Sequence, residues 1–293
     1  MTWRLHVERW GDSGPVALLL PGVVASGRYW RWVAEKLRGQ VRVVAPDLLG
    51  FGRSPWPDAD YCLDDHIDAL EATFLAEGLQ GAEMAPLLGG HSLGAILALA
   101  WAGRRPERFG GLVLMSLPAY PSPREARRHV AALGPLEYLT VTQPRLARLV
   151  CGTMCRFARS RFGDPFWRFA APLLFSYGPA EIARDGVLHT WRSCSLTLRN
   201  CMLDVDAQAL ATRAAATGLP VRVLHGRLDR EAPLDQVMRV VERTSWPLQV
   251  LEQATHRLPI KHAHECAQAV RSLALEVGSW RGSRPIADAG GPG

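Results

Sequence analysis

Lysine is nearly missing from this chain of 293 residues: Lys36 and Lys261 are its only two. Basic charge is therefore carried by arginine. Long apolar runs are missing too. The nearest, around residues 16–25, holds Pro21 and Gly22 and falls short of the ~18 residues a membrane helix needs. The first residues, Met1-Thr-Trp-Arg-Leu-His-Val-Glu, contain no apolar h-region, so no secretory signal is visible and the cytoplasm is the expected compartment. In that setting the six cysteines are expected as free thiols. Cys151 and Cys155, four apart, would share one helix face, but no second pair with zinc-site spacing follows. Buried free cysteine is the expectation there, and no metal or organic cofactor is implied. The composition, 48% hydrophobic and 21% charged, excludes a disordered, collagen-like or coiled-coil chain.

What is present begins with the uneven charge. Residues 121–170 hold nine arginines against three acids, so the whole net charge of +6 resides there. Such a segment attracts acidic partners. It has no recognisable nucleic-acid module and no long basic run, so a solvated, arginine-rich helical surface is expected rather than nucleic-acid binding. The expected partner is a small-molecule substrate, and oligomeric state is not legible.

The first 120 residues alternate strand and helix signals. Residues 3–9 alternate apolar and polar, as an edge strand does. Continuous apolar runs at 16–20, 41–45, 85–88 and 111–115 fit strands covered on both faces. Helical signals at 29–37, 63–75 and 93–102 separate them. This alternation predicts an α/β fold: a mostly parallel, twisted sheet with helices on both faces. From 119 to 207 strand signals stop and helical spacings rich in Arg, Trp and Phe take over. Strands return at 221–225 and 248–251, and a helix at 264–277 closes the fold. We expect a core of residues 1–118 and 208–280, an inserted helical cap at 119–207, and a loose tail at 281–293.

The sharpest local feature is Gly90-His91-Ser92-Leu93-Gly94, a G-x-S-x-G placed between a predicted strand and a predicted helix. So tight a strand-to-helix turn strains the serine and leaves room only for glycine two residues before and after it. The helix that follows aims its first amides at the same spot. A serine hydroxyl needs an imidazole to take its proton, and the imidazole needs a carboxylate to orient it. In such a sheet the order is Ser, acid, His, each just beyond a strand end. Asp229 follows the 221–225 strand and His256 follows the 248–251 strand. His262 and His264 fall in or beside the closing helix, and Asp204 and Asp206 precede the sheet's return. Asp47 reads as a turn residue bonding its own loop. The amides of Val23, in the loop after the 16–20 strand, and Leu93 are the expected oxyanion donors.

These segments, with Leu20-Pro21-Gly22, Pro46-Asp47-Leu48-Leu49-Gly50-Phe51-Gly52-Arg53-Ser54, His225-Gly226-Arg227-Leu228-Asp229 and Thr255-His256, resemble the α/β-hydrolase fold superfamily with an inserted helical lid. Where that superfamily often has His-Gly in the first loop, this chain has Pro21-Gly22. The resemblance implies a serine hydrolase with Ser92, Asp229 and His256 as its triad. Phe166, Trp167, Phe169, Phe175, Tyr177 and Trp191 are candidates for an apolar pocket above Ser92. A small or medium, largely apolar carboxylic ester is the expected substrate, cleaved through an acyl-enzyme. The same residues also fit carbon–carbon hydrolysis of a diketone, thioester cleavage or a non-hydrolytic cyclisation. A ligand-binding receptor with a retired active site is the reading from outside enzymology.

Overall fold

The computed structural model describes residues 3–160, 163 and 179–281. Seven strands form one sheet: β1 (Val7–Trp10), β2 (Val16–Leu20), β3 (Arg42–Pro46), β4 (Leu87–His91), β5 (Gly111–Met115), β6 (Val221–Gly226) and β7 (Leu248–Leu251). Their order is β1-β3-β2-β4-β5-β6-β7. β1 runs antiparallel to β3 at the edge, and every other pairing is parallel.

The apolar runs are explained by cover on both faces. Along β2, Leu18 and Leu20 join one buried cluster, while Ala17 and Leu19 join the other. The first cluster packs α2 (Leu63–Ala76) and α3 (Leu93–Ala102) on the sheet. The second packs α1 (Arg31–Leu37) and the closing helix, Ala263–Arg281. Every residue of α3 is buried, so that helix is apolar all round rather than along one stripe.

Several expected boundaries move, the closing helix among them, which runs Ala263–Arg281 rather than 264–277. The first strand runs Val7–Trp10 rather than over residues 3–9, because only those four residues pair with β3. The segment 29–37 divides into a 3₁₀ turn, Gly27–Trp30, followed by α1. The strand expected at 85–88 begins at Leu87 and continues through Gly89 and Gly90 to His91. A Cβ on Gly90 would overlap the Gly94 carbonyl of the next helix. These glycines therefore serve close packing inside the strand, not its termination.

Between β5 and β6 the described elements are helices joined by loops. They include α4 (Pro123–Ala131), α5 (Pro135–Thr142), α6 (Pro144–Arg159), α7 (Ala180–Asp185), α8 (Trp191–Leu198) and, returning to the sheet beside α3, α9 (Ala207–Ala215). On this insert Arg124, Arg128, Arg145, Arg148 and Arg156 are exposed. Of the tail expected at 281–293, residues 282–293 lie outside the described residues, and Arg281 belongs instead to the closing helix as its last residue. No helix among the described residues is long and apolar enough to cross a membrane.

Candidate active site

The sheet order places the site. The chain leaves β2 toward β3 on one side, and β4 lies on the other, so the loops after β2 and β4 open a crevice at the carboxyl edge. Leu20 is in register with Gly90, which brings Pro21-Gly22 alongside the turn after β4. A Cβ on Gly22 would stand 3.4 Å from the Cβ of Ser92.

Ser92 is the single residue between β4 and α3, with φ 55° and ψ −119°. A non-glycine residue in that region is strained, and such strain gathers at functional sites. Two glycines permit it. A Cβ on Gly90 would meet the Gly94 carbonyl, and one on Gly94 would meet the Leu20 carbonyl. The Ser92 amide is fixed by the Met115 carbonyl of β5 at 3.0 Å.

The loop after β2 is held from two sides. Gly27 N–H donates to Asp47 Oδ1 at 2.6 Å, and Ser26 Oγ donates to Asp185 Oδ2 of α7 at 2.6 Å. Asp47 also accepts from Arg53 N–H at 2.7 Å, so it joins this loop to its own, more than the turn reading provides. Burial of Asp47, partly offset by the Gly27 amide, raises its pKa to about 7. Within the loop Val24 has φ 51°, a costly conformation for a β-branched residue that composition gave no sign of.

Beyond β6, Asp229 accepts at Oδ1 from the amides of Glu231 (3.0 Å) and Ala232 (2.8 Å). His256, beyond β7, places Nδ1 at 3.0 and 2.8 Å from the two oxygens of that carboxylate. Burial opposes charge on Asp229, but the hydrogen bond and charge of His256 outweigh it and hold the carboxyl below its usual range. Burial likewise opposes charge on His256, and bonding to Asp229 outweighs it, assisted by the carboxylate of Glu231. The imidazole therefore titrates above the ordinary 6.5. Glu231 Oε2 lies 3.6 Å from His256 Nε2.

His91 is a residue the motif left as an open letter. It is buried, and its Nε2 lies 2.6 Å from the His256 carbonyl, with the rings 4.8 Å apart. Burial first, then His256, lower its pKa to about 3, so it is neutral and donates from Nε2 to that carbonyl. It thereby fixes the backbone that carries His256. Its partner lies 165 residues away, which no local pattern reports.

Ser92, His256, Val23 and Trp191 all line one cavity of about 210 Å³. Much of its wall is apolar, with Met154, Ile182 and Val187 contributed by the insert. Of the six aromatic candidates Trp191 borders the cavity, while Phe166, Trp167, Phe169, Phe175 and Tyr177 lie outside the described residues. Leu93 is buried at the first position of α3.

The model of the Alpha/beta hydrolase family matches residues 17–269. This chain belongs to that family. Over 204 residues it is 32% identical to Lipase LipV of Mycobacterium tuberculosis, covering 63% of this chain and 73% of that protein. Over 262 residues it is 31% identical to 2-hydroxymuconate semialdehyde hydrolase of Pseudomonas sp. (strain CF600), covering 88% and 84%. Among solved structures it shares the fold of a thermophilic esterase from Thermogutta terrifontis, with a TM-score of 0.65, 24% identity and 93% of each chain covered. The chain is thus a hydrolase with the α/β-hydrolase fold.

Proposed function

We propose that this hydrolase cleaves a small or medium, largely apolar carboxylic ester through an acyl-enzyme. The observation that carries the reading is the Asp229–His256 hydrogen bond at the rim of the cavity onto which the strained Ser92 also opens. Asp229, ionised, accepts the Nδ1 proton and so presents Nε2 of His256 as a base. Ser92 Oγ attacks the carbonyl carbon while its proton passes to Nε2. The oxyanion is received by the amides of Val23 and Leu93, each such donor contributing about 2.7–4 kcal/mol. The intermediate collapses as imidazolium returns the proton to the departing alkoxide. Water then attacks the acyl carbon, losing a proton to His256, and Ser92 is regenerated as the acid leaves.

The apolar cavity wall and the resemblance to a lipase support an ester. The similarity to a semialdehyde hydrolase over 88% of this chain favours one second reading, carbon–carbon cleavage on the same residues. A panel of short acyl aryl esters, acyl thioesters and diketones, run on the wild type and Ser92→Ala, separates them. Esters are expected to be turned over fastest, with kcat falling on the order of a millionfold in Ser92→Ala. Preferred turnover of diketones moves the assignment to the second reading, and undiminished ester turnover by Ser92→Ala refutes both.

A further inference from the structure

The cysteine pair of the insert acquires a partner that spacing alone did not reveal. Cys151 and Cys155 lie on one face of α6, and His189, 34 residues beyond Cys155, brings its ring to them. The two Sγ atoms are 3.8 Å apart, and His189 Nε2 is 3.7 Å from Cys151 Sγ and 3.6 Å from Cys155 Sγ. All three side chains are buried. Zinc binds sulfur at about 2.3 Å and imidazole nitrogen at about 2.0–2.1 Å in a tetrahedron. Those lengths require sulfur–sulfur edges of about 3.8 Å and sulfur–nitrogen edges of about 3.6 Å. The three donors already occupy three corners of such a figure.

We propose that Cys151, Cys155 and His189 form a binding site for zinc. Two thiolates and an imidazole suit a borderline-soft cation and not magnesium or calcium. Cys151 and His189 also border the cavity that holds Ser92, which gives an ion a route in. The site would act as a fastener. His189 bridges to Phe51, and the neighbouring Leu188 carbonyl accepts from Gly52 N–H at 2.8 Å, both in the loop after β3. Binding therefore ties α6 of the insert to a segment already held by the core. Without an ion, the same contacts are a weak thiol–imidazole cluster. The proposal is independent of the ester reading.

The test uses the full chain, chelator-stripped, reduced and kept anaerobic, titrated with Co²⁺ and followed by absorption. One equivalent is expected to bind with tetrahedral d–d bands and a thiolate-to-cobalt charge-transfer band, and Zn²⁺ should displace it. Cys155→Ser and His189→Asn should each weaken Co²⁺ binding by more than about a hundredfold, beyond the loss typical of outer-shell partners. Cys62→Ser should bind as the wild type does. A readout without variants is iodoacetamide alkylation mapped by mass spectrometry, in which Zn²⁺ should protect Cys151 and Cys155 together. A wild type without the thiolate band, unchanged binding in both ligand variants, or no protection by Zn²⁺ overturns the site.

Discussion

At the scale of single residues the candidate site rests on charge placement. His256 is held above its ordinary pKa by two carboxylates, of which only Asp229 bonds to Nδ1. Glu231 stands 3.6 Å from Nε2, the nitrogen that would take the proton of Ser92. A base works in its neutral form, so activity should rise with pH through the His256 pKa, above 6.5. Removing the Glu231 charge lowers that pKa. Glu231→Gln is therefore expected to move the acid limb of kcat/KM to lower pH, and the difference from wild type should shrink in high salt. An acid limb that stays in place would show that Glu231 has no part in tuning the imidazole. Ser92 was legible as a motif, and Asp229 and His256 as residues just past strand ends in a known order. His91 and His189 were not legible, because each acts through partners that only the folded chain brings near.

At the scale of elements, the loop after β2 depends on neighbours that are remote in sequence. Asp47 is fully buried, and its two oxygens satisfy the amides of Gly27 and Arg53. A buried donor left without a partner costs about 1–3 kcal/mol. Asp47→Ala leaves two such donors, so urea unfolding should show a loss of about 2–6 kcal/mol. Hydrolysis of the best ester should fall as well, since the same loop carries Val23. A loss within about 0.5 kcal/mol, typical of surface changes, would mean the loop is held elsewhere. Most elements were legible from apolar runs and helical spacing, because burial on both faces leaves a plain signature along β2, β4 and β5. Their ends were less so. β4 runs on through two glycines whose reason is the close approach of α3 and Leu19, a tertiary fact rather than a local propensity.

At the scale of the whole molecule, a parallel sheet delivers its carboxyl-end loops to one edge. Ser92 follows β4, Asp229 follows β6 and His256 follows β7, and the insert between β5 and β6 supplies the other wall of the cavity. That layout was legible in the strand order. The wall was legible only in part, since the insert's aromatic residues carry no pattern that separates lining from packing. In the proposed mechanism Ser92 is a nucleophile activated by His256. Treating the folded protein with a fluorophosphonate and mapping the adduct by mass spectrometry tests it most directly. A single phosphonyl group on Ser92, forming far more slowly in His256→Ala, is the predicted result. An unlabelled folded wild type, or equal labelling of Ser92 in His256→Ala, would contradict it.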